Sequence, residues 1–234
     1  MKTSNIIFSS IVGSLTLLIV TGALEFRFLG HKNEGHLKFS IDKIETAKQN
    51  FDLPEFQYLV INDMPVWTNI IFGGKNEMEL ILQDKSEASI LNYHLKGDTL
   101  FIEGVNKEGP DVLSVNLFLP HGQLKGINSN QSKVNINQYN NDSLTLVLIH
   151  ATIDIHQPCV FGNLSIFGTD QSTVNVYSAQ VDTLQLDLNN STVRMQTIIN
   201  KLQGQMSNHS ELDLKDVSTL DFQKDNSSRL NYWN

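Results

Sequence analysis

The second half of this chain repeats one short pattern, in which a small residue precedes alternating polar and apolar residues. The central apolar residues of its six copies lie at positions 134, 153, 174, 193, 212 and 230, so successive copies are 18 to 21 residues apart. A fixed period near 20 residues in strand-like sequence is typical of stacked β coils, each copy forming part of one layer. The copies occupy residues 132–136, 151–155, 172–176, 191–195, 210–214 and 228–232.

A second apolar run precedes each copy and completes the coil. Alternation in this run points Leu144, Leu146 and Leu148 inward and Thr145 and Val147 outward. The sequence therefore predicts an all-β fold, a right-handed parallel β-helix-like solenoid with coils of about 19–20 residues. The leucines that begin these runs are Leu124, Leu144, Leu164, Leu184, Leu202 and Leu220.

The N-terminus carries a different signal, an uncharged and mostly apolar run over residues 3–24. Its length suits one transmembrane helix, and a signal peptide cleaved after Ala23 is the alternative. We predict an anchor or signal segment at 1–24, a stalk at 25–55, irregular N-terminal β coils at 56–122 and regular solenoid repeats at 123–234. The corresponding location is the inner membrane with the β domain in the periplasm, or secretion if the segment is cleaved.

Composition narrows the function classes. The net charge is −8 and no basic run occurs, which disfavours a nucleic-acid partner because phosphate neutralisation needs clustered Lys and Arg. The single cysteine, Cys159, allows neither an internal disulfide nor a cysteine-based metal site. We interpret it as a small packing residue.

Several segments from about Asp52 onward resemble the putative auto-transporter adhesin, head GIN domain family of Gram-negative envelopes. The resemblance implies a parallel β-helix-like domain displayed outside the cytoplasmic membrane, with adhesion suggested by the family name and no established activity. The segments are Asp52-Leu53-Pro54-Glu55-Phe56, the hairpin sequence Leu95-Lys96-Gly97-Asp98-Thr99-Leu100-Phe101-Ile102, the strand end Leu117-Phe118-Leu119-Pro120, and the repeats that follow.

A carbohydrate-active β-helix, lyase or hydrolase, is the main alternative function. Such chemistry needs paired carboxylates over a groove, or a calcium site with a nearby base. Arg194 and Asp213 are predicted to be neighbours on successive coils, where an ion pair is the simpler interpretation. His150 and His209 lie three coils apart and cannot share one metal ion. We predict no catalytic residues, no cofactor and no metal site.

Two further residue sets stand out. One is an outward apolar stripe of Ile127, Val147 and Phe167, a candidate contact surface if residues 56–120 do not cover it. The other is a structural ladder of corner residues that tolerate left-handed turns. The predicted ladder residues are Asn130, Asp170, Asn189, Asn208 and Asn226.

These observations favour a non-catalytic envelope protein with an adhesin-like or scaffold role. Its expected partner is an envelope protein or a glycan, with the membrane contacted through the N-terminal segment. A periplasmic sensor or scaffold that binds another envelope protein remains a third interpretation.

Overall fold

The computed structural model describes residues 47–82, 91–104, 112–156 and 159–232. All regular structure in these ranges is β. The strands are β1 (Ala47–Asp52), β2 (Tyr58–Asn62), β3 (Trp67–Phe72), β4 (Glu77–Leu82), β5 (Leu91–Lys96), β6 (Thr99–Gly104), β7 (Val112–Leu119), β8 (Gly126–Asn130), β9 (Lys133–Asn137), β10 (Asn140–Ile149), β11 (Thr152–Ile155), β12 (Cys159–Thr169), β13 (Thr173–Val176), β14 (Ala179–Asn189), β15 (Thr192–Ser207), β16 (Glu211–Lys224) and β17 (Arg229–Tyr232).

The strands form two parallel columns, which confirms the predicted β-solenoid. One column, called face A, stacks β8, β10, β12 and β14 and continues into the second halves of β15 and β16. The other, called face B, stacks β9, β11 and β13, the first halves of β15 and β16, and then β17. All six sequence copies lie in face B.

The order of coils in space differs from their order in the chain. Strand β2 pairs in parallel with both β6 and β8. Strand β3 likewise pairs with both β7 and β9. The coil formed by β2 and β3 therefore lies between the coil of β6 and β7 and the coil of β8 and β9, although it comes first in sequence.

Antiparallel strands extend the sheet at this end of the solenoid. Strand β4 pairs with β7 on one side and with β1 on the other, and β5 pairs with β6. Strand β1 and the buried Leu53 fall within the segment predicted as a stalk. Part of that segment is therefore β structure that joins the sheet.

The core is a single apolar cluster filled by the inward residues of both columns. Strands with strict alternation, such as β4 and β13, show alternating buried and half-buried residues, as period-2 geometry requires. Tyr139 packs at a corner of this core, with ring centroids 4.9 Å from both Phe72 and Phe161. Its hydroxyl oxygen lies 2.9 Å from the carbonyl oxygen of Leu124 and 2.6 Å from that of Ser143, so the single proton of the buried phenol has an acceptor.

Within the described ranges, no helix is long and apolar enough to cross a membrane. The predicted transmembrane helix over residues 1–24 lies outside those ranges.

Candidate binding surfaces

The predicted apolar stripe is only partly correct, because Ile127 points into the core. Ile127 is 2% exposed and pairs with the inward Leu146, whereas Val147 pairs with Asn128. Residues that pair between β8 and β10 are 19 positions apart in the sequence. The leucines that begin the two runs, Leu124 and Leu144, are 20 positions apart, so aligning the coils by these leucines gives the wrong partners. A shift of one residue moves a side chain to the opposite face of a strand. Ile127 therefore belongs to the core and not to a contact surface.

The outward stripe does exist on face A, with a different composition. Phe167 pairs with Val147 and is 36% exposed. On the other side of Asn128 the same outward column continues with Val60 and then Phe101. Sequence analysis missed Val60 and Phe101 because their strands join the stack out of chain order.

The described strands from residues 56–120 do not cover this stripe but lie in line with it. Val60 and Phe101 themselves belong to that segment and extend the stripe along face A. At its end, the His94 ring stacks on Phe101 with centroids 4.8 Å apart. Beyond Phe167 the column turns polar at Asp187.

The predicted ladder of corner amides is limited to one pair. Asn208 donates from Nδ2 to Oδ1 of Asn189 over 2.9 Å, on adjacent coils. Asp170 and Asn208 have positive φ, as the prediction requires, but Asn130, Asn189 and Asn226 do not. In the first five copies, the residue immediately before the small residue has a positive φ: Gln131, His150, Gln171, Asn190 and His209. Neither Asn226 nor Ser227, which precede the sixth copy, has a positive φ.

Buried serines, and not the amides, carry most of the corner hydrogen bonds. The Oγ of Ser210 donates to the carbonyl of Ser207 (2.6 Å) and accepts the backbone N–H of Ser191 on the adjacent coil (3.2 Å). The Oγ of Ser132 similarly accepts the N–H of Met64 over 3.0 Å. At Ser132, Ser172 and Ser210 the hydroxyl both donates within its own turn and accepts from an adjacent coil. Ser191 donates within its turn, and the hydroxyl of Ser228 has no partner among the described residues. The buried serines at this corner are Ser132, Ser172, Ser191, Ser210 and Ser228.

The outward column of face B forms a chain of polar side chains along the solenoid. At one end, Lys48 pairs with Glu79, which accepts from Asn116. Asn116 accepts from Asn69, and Asn69 accepts from Asn135, each over 2.8 Å. These bonds and the Lys48 ammonium hold the pKa of Glu79 below its ordinary value, with the hydrogen bond from Lys48 as the largest cause.

The other end of the same column is organised around two carboxylates. Asn175 donates to Asp154 over 2.8 Å, and the Oδ1 of Asn175 faces Nη1 of Arg194 at 3.5 Å. Nε of Arg194 lies 3.4 Å from Asp213, which also accepts from Asn231. The predicted ion pair of Arg194 and Asp213 is therefore present, and both residues are engaged by neighbouring amides.

The histidine and cysteine side chains do not form a reactive centre among the described residues. No group of three or more potential metal ligands occurs there. His150 and His209 are exposed corner residues with positive φ on separate coils. Burial raises the pKa of the Cys159 thiol, which donates to the carbonyl of His156 over 3.0 Å. Cys159 is a packing residue, as predicted.

An open groove of about 660 Å³ runs across several coils at the corner where face B leads into face A. Its walls combine amides and carboxylates with exposed aliphatic side chains, including Val160 (39% exposed) and Ile198 (55% exposed). Asn200 donates to Asp182 over 2.7 Å on one wall. The lining residues are Asn140, Asn141, Asp142, Val160, Phe161, Gly162, Gln180, Val181, Asp182, Gln196, Thr197, Ile198, Asn200 and Lys215.

A local irregularity shared by successive coils lies on the wall of this groove. Asp142 and Gly162 lie opposite each other between β10 and β12 but do not pair. The same holds for Gly162 and Asp182 between β12 and β14. A Cβ at Gly162 would lie 2.8 Å from the carbonyl oxygen of Asp142, so only glycine fits there. The backbone of Gly162 therefore approaches the Asp142 carbonyl closely on the wall of the groove.

A smaller depression of about 280 Å³ shares Gln196 with this groove and contains Tyr177. The Tyr177 ring stacks on His156 with centroids 5.0 Å apart and is 42% exposed. Apolar rings and aliphatic side chains beside hydrogen-bonding amides provide the mixed lining of small-molecule and glycan sites. Sequence analysis missed this corner because its residues lie outside the repeated pattern.

Comparisons with known proteins identify the fold. No family model matches the chain, and no curated protein matches it. A solved structure from Bacteroides fragilis, described as a putative adhesin, superposes with a TM-score of 0.54 at 9% identity, over 81% of this chain and 97% of that one. Another putative adhesin, from Parabacteroides distasonis, has a TM-score of 0.50 at 6% identity, over 81% of this chain and 95% of that one. At such low identity the likeness shows that this chain shares their β-solenoid-like fold.

Proposed function

We propose that this protein is a non-catalytic, adhesin-like binding protein of the cell envelope and that the groove at Val160 and Ile198 holds its ligand. The observation that carries the proposal is this open, chemically mixed groove on a scaffold of stacked coils. The two solved structures with the same fold are described as putative adhesins, which supports the same class of function.

The arrangement on face B supports binding over catalysis. An enzyme of the carbohydrate-active β-helix class needs a carboxylate or base that is available for proton transfer. Arg194 and Asp213 instead pair with each other and with Asn175 and Asn231. They also lie on the outward column and not on the groove wall.

Location and family are part of the same proposal. The apolar run at residues 3–24 supports anchoring in the inner membrane with the solenoid in the periplasm. Membership of the head GIN group, with a right-handed solenoid, is supported by the sequence segments that begin at Asp52. The expected ligand is a glycan or an envelope protein.

The experiment compares two variants of the full chain on a glycan array and in pull-downs from envelope extracts. Gln180→Trp places a large ring in the groove, whereas Gln185→Trp places the same ring on face A, and both glutamines are exposed residues of β14. We expect Gln180→Trp to reduce binding at least about tenfold and Gln185→Trp to leave it unchanged.

Equal binding by both variants would show that the groove is not the site. Polysaccharide turnover that is lost in Arg194→Ala would instead support the enzyme interpretation.

A further inference from the structure

The polar column of face B contains one junction where two acceptors meet. Asn135 and Asp154 are register partners on adjacent coils, about 4.8 Å apart in the backbone. Asn135 donates from Nδ2 to Asn69, which lies on the side away from Asp154, so the remaining polar atom of the Asn135 side chain is the acceptor Oδ1. Asp154 accepts from Asn175 on its other side. Among the described residues, no hydrogen bond joins Asn135 to Asp154.

The direction of these bonds is imposed by the carboxylates. Glu79 can only accept, so Asn116 must donate to it, and Asn69 and Asn135 must then donate in the same direction. Ionised Asp154 can also only accept. Rotating the Asn135 amide would satisfy Asp154 but would place the Asn135 and Asn69 oxygens against each other. The unmatched junction is therefore a property of the sequence of the column.

Charge distinguishes Asp154 from the other carboxylates of the column. Lys48 lies 2.9 Å from Glu79, and Arg194 lies 3.4 Å from Asp213. Within the described part of the chain, no cation pairs with Asp154. Lys133, on the same coil as Asn135, holds its ammonium 5.9 Å from the ring centroid of Trp67. Trp67 lies on the coil next to that of Lys133, on the side away from Asp154.

We propose that the Asn135–Asp154 junction receives the guanidinium group of an arginine from a partner protein. A guanidinium has several donors in a fixed plane and can bond a carboxylate and a neighbouring amide oxygen together. The chain provides an internal example, because Arg194 lies between the Asn175 oxygen and the Asp213 carboxylate. Two side chains supply too few oxygens for calcium, which takes six to eight.

The partner is a protein with an exposed arginine, and the net charge of −8 favours such a basic partner. Half-exposed Trp67 and Thr152 flank the junction on the same face and enlarge the contact area. This surface is separate from the corner groove, so the inference stands whether or not the groove binds a ligand.

The test is an NMR titration of the isotope-labelled full chain with the blocked tripeptide Gly-Arg-Gly, following the side-chain amide of Asn135. Two further tripeptides, in which lysine or neutral citrulline replaces the arginine, are titrated in parallel. We expect the arginine peptide to shift the Asn135 signal and the citrulline peptide to bind at least about tenfold more weakly.

Matched variants distinguish binding at the Asn135–Asp154 junction from the general effect of removing one negative charge. Asp154→Asn and Asp187→Asn remove the same charge, but Asp187 lies on face A, where Gln205 is its hydrogen-bond donor among the described residues. We expect Asp154→Asn to weaken the arginine peptide at least about tenfold and Asp187→Asn to leave its affinity within about twofold. An asparagine at 154 can donate to Asn135 and complete the column, so the melting temperature of that variant should not fall.

Asp154→Ser removes the carboxylate without adding an amide and should give the same loss of binding. Unchanged binding in both Asp154 variants would overturn the proposal, as would equal binding of the citrulline peptide. A shift of Asn135 by glucosamine but not by the arginine peptide would also overturn it, and would indicate an amino-sugar ligand.

Discussion

Buried serines at one corner show how a small residue can determine the geometry of a whole coil. Five of the turns there contain a left-handed residue, and the backbone groups that it exposes need partners in the core. In four of them a serine follows and donates its hydroxyl within its own coil, and in three it also accepts from the adjacent coil. The repeated serine is therefore a structural residue, although its abundance in the sequence suggests no particular role.

Replacing Ser210 tests this role. Ser210→Ala leaves the Ser191 N–H without its acceptor in a site that is 0% exposed. We expect a loss of about 1–3 kcal/mol in the free energy of unfolding, because a buried donor is left unsatisfied. Urea denaturation of the variant measures it.

The control is Ser218→Ala, at an exposed position of β16. That change should alter stability by no more than about 0.5 kcal/mol. Equal effects of the two substitutions would contradict the structural role of the corner serine.

At the level of strands, register decides which face a side chain occupies. Alternation correctly places Leu144, Leu146 and Leu148 in the core, since it acts within a single strand. It does not give the offset between coils, which depends on the number of residues in each corner. This is why Val147 and Phe167 are outward neighbours while Ile127 is buried.

The register makes opposite predictions for two neighbouring residues. Ile127→Ala should cost about 2–5 kcal/mol of unfolding free energy, because it opens a cavity beside Leu59 and Leu146. Val147→Ala lies on the outward side and should cost less than about 1 kcal/mol. Chemical denaturation of both variants measures the difference. A larger cost for Val147→Ala would restore the stripe with Ile127 outward.

For the whole molecule, stability comes from stacking coils on one another. Ordering one coil of about 20 residues costs roughly 1–2 kcal/mol of backbone entropy per residue, more than its few buried side chains return. Neighbouring coils share their core and hydrogen bonds, so stability should decrease toward a coil with one neighbour. Leu220 lacks the cover of a further coil: it is 47% exposed, whereas its register partner Leu202 is fully buried.

Hydrogen exchange should reveal this gradient along the solenoid. We expect amides of β12 and β14 to exchange slowest and those of β17 to exchange much faster, because β17 pairs on one side within the described residues. The matched substitutions Leu202→Ala and Leu220→Ala should cost about 2–5 and less than about 1 kcal/mol, respectively. Uniform protection and equal costs would contradict a solenoid that opens at this end.

The sequence by itself determined the all-β class, the period of the coils and the inward residues of the regular repeats, because a 20-residue period and a two-residue alternation are local properties. It also indicated correctly that Arg194 and Asp213 are neighbours. Only the tertiary structure decided that the coil of β2 and β3 lies between two later coils, and that Val60 and Phe101 continue the stripe. The corner groove and the unmatched Asn135–Asp154 junction also required the structure. The groove and the junction depend on the offset between coils and on the direction of hydrogen bonds from distant residues. No single repeat encodes either of these properties.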